Sequence, residues 1–382
     1  MKTLHLFLFA DALGWNLVQK HKLLQSVAPN QHPCETLFGY SATCDPSILT
    51  GKPPHEHGHF SFFVKTDPKH SPFKAFRLLG WLPDKIGGYH KIRNRLSRYV
   101  AKYYAFTGYF QLYSVPFRYL PFLDYTEKRD IYEPGGINGG QETIFEHWKR
   151  SGKNWHRSDW RNGDAVNYAE LEALIEKGDL ELAYLFTAGL DATMHRYGPW
   201  SKEATEALHT FDLRVQALLK LAHEYYDRVQ LAIFSDHGMT EVSQSSDLRL
   251  RCEALPLKYG TDYTAVWDST MARFWFNKQS AKTQIIELLK SETRGRIVSD
   301  EQLEAWQCKF PDNRYGELFY VLDPGVLFVP SFLNMSQVPG MHGYAPEDID
   351  STASWLTNFK TEQPVNKLED IYAVMQAAAN TP

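Results

Sequence analysis

Three short, nearly continuous apolar runs along the chain each lead into an aspartate. Leu4-His5-Leu6-Phe7-Leu8-Phe9-Ala10 meets Asp11. Leu182-Ala183-Tyr184-Leu185-Phe186-Thr187 continues through Ala188-Gly189-Leu190 to Asp191, and Val229-Gln230-Leu231-Ala232-Ile233-Phe234-Ser235 ends at Asp236. Apolar runs of this length predict strands buried on both faces, as in a parallel sheet covered by helices. Between the second and third runs, Leu208, Phe211, Val215, Leu218, Ala222 and Tyr225 recur at three- to four-residue spacing, which predicts a helix. Strand, helix and strand make a βαβ unit, so the expected fold class is α/β. Ligands of open α/β sheets bind beyond the carboxyl ends of the strands. All three aspartates fall at that edge.

Two segments interrupt this pattern. Residues 65–140 are rich in aromatic and basic side chains, among them Tyr103, Tyr104, Phe106, Tyr109, Phe110, Tyr113, Phe117, Tyr119 and Phe122. Pro116, Pro121 and Pro134-Gly135-Gly136 keep the stretch from being one long helix. Residues 261–330 read as a small α+β excursion: strand at 272–276, helix at 281–290, strand at 318–322. The expected organisation is therefore a catalytic core of residues 1–64, 141–260 and 331–382, carrying an aromatic insertion at 65–140 and a second insertion at 261–330. Residues 368–379 read as a closing helix.

With 382 residues, the chain is long enough for one large core with insertions. Its net charge of −4 carries no footprint for a nucleic-acid polymer. The four cysteines, Cys34, Cys44, Cys252 and Cys308, have neither CxxC nor zinc-finger spacing, so the expected compartment is the reducing cytoplasm. The apolar start of the chain is broken by Asp11 and lacks a small-x-small cleavage site, so it reads as a strand rather than a signal peptide. No segment approaches the ~20 apolar residues of a membrane span.

The chemistry concentrates at the sheet edge. Asp191-Ala-Thr-Met-His195 sets a carboxylate and an imidazole four residues apart, on one side of a helical turn. Asp236-His237-Gly238 follows the third strand, and His342 lies in the glycine-rich loop Pro339-Gly340-Met341-His342-Gly343. Carboxylates and neutral imidazoles are the donors that suit Zn²⁺ and, less strictly, Mn²⁺. Singly, each motif recurs by chance. Together, in this order on one edge, they point to a metal site.

In these motifs the chain resembles the alkaline phosphatase superfamily, and within it the type I phosphodiesterase/nucleotide pyrophosphatase branch. The phrases Asp191-Ala-Thr-Met-His195-Arg-Tyr-Gly-Pro199 and Ser235-Asp-His-Gly-Met239 carry most of the likeness. The resemblance covers about residues 1–60, 180–240 and 335–350. It implies a three-layer α/β/α fold with a mostly parallel central sheet and a site for two divalent metal ions. Asp191, His195 and His342 would hold one ion, and Asp11, Asp236 and His237 the other. It also implies a nucleophile at a helix start, nine residues before a Thr-Gly that is followed by a His-Gly. Counting back from Thr50-Gly51, with His57-Gly58 following, lands on Ser41; Thr43 and Cys44 are the rivals. Cys44-Asp45-Pro46-Ser47 echoes the sulfatase Cys-x-Pro-Ser-Arg motif, but Ile48 stands where the Arg belongs. The phosphodiesterase branch has Phe-Pro-Asn after its nucleophile, whereas this chain has Ala42-Thr43-Cys44 and lacks an Asn for a phosphoryl oxygen.

The implied activity is hydrolysis of a small phosphorylated substrate, a phosphodiester or nucleotide pyrophosphate, through a seryl-phosphate. A phosphomonoesterase, phosphonate hydrolase or sulfatase on the same scaffold is the alternative, and a non-catalytic partner-binding scaffold is a third reading. Three further expectations concern the flanks. His55, His57 and His59 serve structure rather than ligation. Asp45 caps a helix that has Pro46 at its first position. Arg93, Arg95, Arg98 and Lys102 form a solvated face; the aromatic cluster Tyr103–Phe122 packs as the core of its insertion, with a substrate-facing lid or an interfacial surface the alternative, and the insertion as a whole closes over the metal edge as a lid.

Overall fold

In the computed structural model, which describes residues 2–83 and 90–381, the three aspartate-ending runs are adjacent strands of a six-stranded sheet. The strand order is Asn30–Cys34, Ala353–Thr357, Arg228–Phe234, Thr3–Ala10, Leu182–Thr187, Trp155–Arg157. Thr3–Ala10 runs parallel to both neighbours, with Ala10 level with Thr187 and Phe9 level with Phe234. This register brings the three carboxyl ends out on one edge. Trp155–Arg157 extends the parallel part, while Ala353–Thr357 runs antiparallel to both its neighbours.

The apolar runs conceal a period of two. Leu4, Leu6, Leu8 and Ala10 enter a core shared with the helices Trp15–His21, Asp164–Ile175 and Lys202–Tyr225. Phe7 and Phe9 face the other way, toward the helices Ser41–Thr50, Ile144–Ser151 and Asp370–Asn380. Arg228–Phe234 repeats the division, with Leu231 and Ile233 on the first face and Ala232 and Phe234 on the second. Both faces are apolar because both are covered, and each buried Leu or Phe contributes about 1.5–3 kcal/mol. The second face is tiled by rings: Phe9 lies 5.2 Å from Phe186 and 6.0 Å from Phe234.

The two insertions share one core. Residues 261–330 form a four-stranded antiparallel sheet in the order Tyr263–Trp267, Met271–Phe276, Leu318–Leu322, Gly295–Val298. Phe73, Phe76, Phe117, Leu120 and Tyr125 of the first insertion pack in the same cluster as Trp267, Phe274 and Tyr320 of this sheet. A single antiparallel sheet leaves an apolar face that something must cover, and here the aromatic segment covers it. Arg273 ties this sheet, from full burial, to the segment that leads into the first insertion. Its guanidinium pairs with Asp268 at 3.0 Å and donates to the Ser61 hydroxyl at 2.8 Å and the Phe63 carbonyl at 3.0 Å.

Arg93 departs from the solvated face expected of it. It is buried, with its guanidinium 4.0 Å over the Phe117 ring, while Arg95, Arg98 and Lys102 are exposed. Helical spacing separates them: on His90–Tyr104, position 93 shares the inner face with Leu96, Ser97 and Val100. Among the described residues no helix is long and apolar enough to cross a membrane.

Candidate active site

Two donor clusters form at the sheet edge. Asp191, His195 and His342 offer ligand atoms that all lie within 4.8 Å of one another, and so do Asp11, Asp236 and His237. Asp11 follows its strand directly, with its backbone N–H held by the Thr187 carbonyl at 3.0 Å. Asp191 and His195 lie one turn apart on the helix Gly189–Tyr197, and Asp164 caps its start by accepting from the N–H groups of Ala188 and Gly189. His342 arrives from far along the chain through a two-residue antiparallel ladder that sets Gly340 against Glu241 and Met341 against Thr240. Gly340 must be glycine, because a Cβ there would collide with the Met194 carbonyl. Gly238 is constrained in the same way by the Asp350 carbonyl.

The imidazoles are set as acceptors. His195 Nδ1 lies 2.8 Å from the Gly340 carbonyl, and His237 Nδ1 lies 2.9 Å from that of Gly238. A carbonyl only accepts, so each Nδ1 carries the proton and each Nε2 turns a lone pair toward the carboxylates. His195 Nε2 then stands 3.2 Å from Asp191 Oδ1, and His237 Nε2 stands 2.9 Å from Asp236 Oδ2. Yet both carboxylate oxygens are buried without a hydrogen bond, as is Asp11 Oδ1. Close approach without hydrogen-bond alignment is the arrangement of ligands aimed at a common third point. These residues fit a pair of divalent cations.

Electrostatics agree. Burial, with Asp236 and Asp191 nearby, pushes the Asp11 carboxyl well above its usual range. Burial, with His237 and His195 alongside, holds His342 well below the usual imidazole value. Asp191 goes the other way, held despite its burial below the usual carboxylate range by His195, and against burial the neighbouring carboxylates raise His195 and His237; it is Asp11 and His342 that a cation, rather than a proton, would suit.

Ser41 is the first residue of the helix Ser41–Thr50, and its hydroxyl lies 3.1 Å from His237 Nε2. Thr43 points the other way, donating to the Phe60 carbonyl from full burial. Cys44 is also buried, on the far side beside Thr36, and burial raises its thiol well above the usual value. Asp45 is not a helix cap: the helix begins four residues before it, at Ser41, and Pro46 lies inside it. Asp45 instead accepts from the Tyr132 hydroxyl at 3.2 Å. His57 and His59 are buried and bonded within the fold, to Ser47 and to the Asn138 N–H.

Ser41, Asp191, His195, His342 and, from the other cluster, Asp11 open into a cavity of about 530 Å³. Tyr109, Tyr113 and Tyr132 of the aromatic insertion form part of its wall, together with Phe62 and Trp160. Asp45, Glu127 and Asp268 also line it, and no Lys or Arg does among the described residues. Sequence reasoning missed Glu127, Asp268 and Trp160, which stand in no motif and reach the cavity only through tertiary packing.

A mostly parallel sheet sandwiched by helices, with its donors at the carboxyl edge, is the architecture of the alkaline phosphatase superfamily. The chain belongs to the type I phosphodiesterase/nucleotide pyrophosphatase family, whose family model matches residues 37–345. Human ectonucleotide pyrophosphatase/phosphodiesterase family member 7 is 36% identical over 91 residues, 23% of this chain and 19% of the human protein. GPI ethanolamine phosphate transferase 1 of Gibberella zeae is 32% identical over 94 residues, 24% of this chain and 9% of the fungal protein. The matched segments thus span a fifth or less of these relatives. Murine ectonucleotide pyrophosphatase/phosphodiesterase 5, solved in an inactive form in complex with AMP, superposes with a TM-score of 0.68 at 17% identity, covering 100% of this chain and 96% of that one. The human protein of the same name gives 0.68 at 16% identity, covering 99% and 95%.

Proposed function

We propose that this chain hydrolyses phosphodiesters at the sheet edge through a phosphoryl group carried on Ser41. Two divalent ions, Zn²⁺ or Mn²⁺, would be held by Asp191, His195 and His342 and by Asp11, Asp236 and His237. The observation that carries this reading is the position of the Ser41 hydroxyl, 3.1 Å from His237 Nε2 at a helix start lining the cavity. Bound there, divalent ions would neutralise charge on the attacking and leaving oxygens.

Ser41 Oγ forms a bond to phosphorus as the bond to the leaving alcohol breaks, and water later attacks the seryl-phosphate to free Ser41. Ser41 and Ala42 line the cavity at the N-terminus of their helix, where backbone N–H groups and the helix dipole favour phosphoryl oxygens. That donor set stands in for the Asn that Ala42-Thr43-Cys44 lacks. Thr43 and Cys44 take no part, since both are buried away from the cavity.

The cavity favours a diester over a monoester. A monoester carries a second negative charge, and the cavity walls offer it no Lys or Arg among the described residues. The rings of Phe62, Tyr109, Tyr113 and Trp160 suit a substrate whose alcohol carries a ring or an apolar group. The named relatives add nucleotides and ethanolamine phosphate to the candidates.

A panel of nitrophenyl monoester, diester, phosphonate and sulfate substrates tests the reading. The diester should turn over fastest, chelation should abolish activity, and Zn²⁺ or Mn²⁺ should restore it. Turnover by protein shown metal-free by elemental analysis would end the metal assignment, and faster monoester turnover would end the diester assignment.

A further inference from the structure

Part of the aromatic insertion carries a charge that the rest of the chain does not. Between residues 66 and 123 stand ten Lys or Arg and two Asp or Glu, in a chain with 41 basic and 45 acidic residues overall. The helix His90–Tyr104 displays much of it. Its inner face is anchored by Arg93 on the Phe117 ring, and by Ser97, whose hydroxyl accepts the Leu112 N–H at 2.9 Å. Its outer face carries Lys91, Arg95, Arg98 and Lys102 at three- to four-residue spacing, all exposed.

Beside these basic side chains stand large apolar ones that no packing requires outside. Tyr99 is 66% exposed and Tyr103 81%, one turn apart, with Ile92 on the same side. Leu78 at 79% and Trp81 at 77% project from the neighbouring turn, which also carries exposed Lys74 and Arg77. That turn joins the helix through Phe117, against which Phe76 stacks at 5.3 Å.

Clustered exposed apolar side chains mark an interaction surface. Tyr and Trp interleaved with Lys and Arg suit the boundary of a bilayer, where rings lie at headgroup level and cations meet anionic lipid. Leu78 and Ile92 favour this partner over a nucleic acid, since aliphatic side chains offer no stacking platform for bases. We propose that the outer face of His90–Tyr104 and the adjoining Lys74–Leu79 turn form a docking surface for membranes rich in anionic phospholipid. The surface brings the chain to the headgroup layer, and it does not depend on the hydrolysis proposed above.

Co-sedimentation of the full chain with vesicles tests this. Vesicles of phosphatidylcholine and phosphatidylglycerol in a two-to-one ratio should bind at least about tenfold more tightly than pure phosphatidylcholine. Binding should weaken as salt shortens the Debye length from ~10 Å at 0.1 M. Arg95→Glu, Arg98→Glu and Lys102→Glu combined should abolish the preference. Tyr99→Ser with Tyr103→Ser should lower binding severalfold at every salt concentration. All five positions are exposed, so folding and turnover of a soluble diester should be unchanged. Equal binding to both vesicle types, or full binding by the charge-reversed variant, overturns the proposal. So does retention of poly(uridylate) without vesicle binding, which would assign the face to nucleic acid, or salt-sensitive dimerisation without it, which would assign it to a second copy.

Discussion

The two donor clusters face the same cavity but are built by different means. Asp11, Asp236 and His237 stand on strand ends, and the sheet ladder holds the backbone beneath them. Asp236 and His237 are buried, and Ala12 donates to Asp236 Oδ1 at 3.3 Å. Asp191, His195 and His342 come from a helix and a loop; the Gly340 carbonyl holds the loop to His195, a two-residue ladder holds it to Thr240-Glu241, and Asp191 and His195 are only partly buried. The first arrangement leaves little freedom for a donor to move. The second admits solvent and can replace a lost donor with water, as open metal sites do. Ser41 lies against the first cluster, so the less forgiving of the two is the one beside the proposed nucleophile.

The largest expected effect is that of Ser41→Ala. Turnover of a nitrophenyl diester should fall by ~10³-fold or more, because the attacking group is gone. Metal content by elemental analysis should hold, since six other donors remain. Near-normal turnover would detach the nucleophile from the buried cluster altogether.

Next come paired donor substitutions, one in each cluster. Asp236→Asn should cost at least about a hundredfold in turnover, and His195→Ala about ten- to a hundredfold, with added metal recovering only the second. Equal losses, or recovery of Asp236→Asn alone, would break the contrast drawn here.

Glu127 allows a smaller test, in the cavity wall away from either cluster. Burial pushes its carboxyl up to about 8, with the Tyr109 N–H working the other way. A carboxyl raised on folding stabilises most below its unfolded value near 4.5, and that contribution is lost as pH rises through about 8. Thermal melts should therefore show the difference between wild type and Glu127→Gln shift steadily in favour of Gln as pH rises from about 5 to about 9. A difference that does not move with pH would refute the burial argument. Cys44→Ala should have the least effect on turnover, within about twofold. The methyl group leaves a small void behind Ser41 and costs about 1 kcal/mol of stability.

The central strands were legible because a strand covered on both faces must be apolar at nearly every position, so Leu4–Ala10 and its partners announce themselves. The helix Lys202–Tyr225 was legible from its 3.6-residue period, as was the closing helix Asp370–Asn380. The edge strand Asn30–Cys34 escaped notice because its side chains are largely exposed and Pro33 interrupts it. Its partner Ala353–Thr357 is wholly buried but short, with polar Ser354 and Thr357 satisfied by hydrogen bonds.

By itself the sequence determined which residue types could bind a cation and that three of them would follow strands at one sheet edge, because side-chain chemistry and hydrophobic period are local properties. Tertiary structure decided the rest. It brought His342 beside Asp191 through the pairing of Gly340-Met341 with Thr240-Glu241, turned Ser41 toward the cavity and Thr43 away from it, and drew Arg93 into the interior. It also joined two insertions, more than a hundred residues apart along the chain, into one core whose aromatic side walls the cavity. Contacts between distant segments depend on how every intervening element packs, and no window along the chain records them.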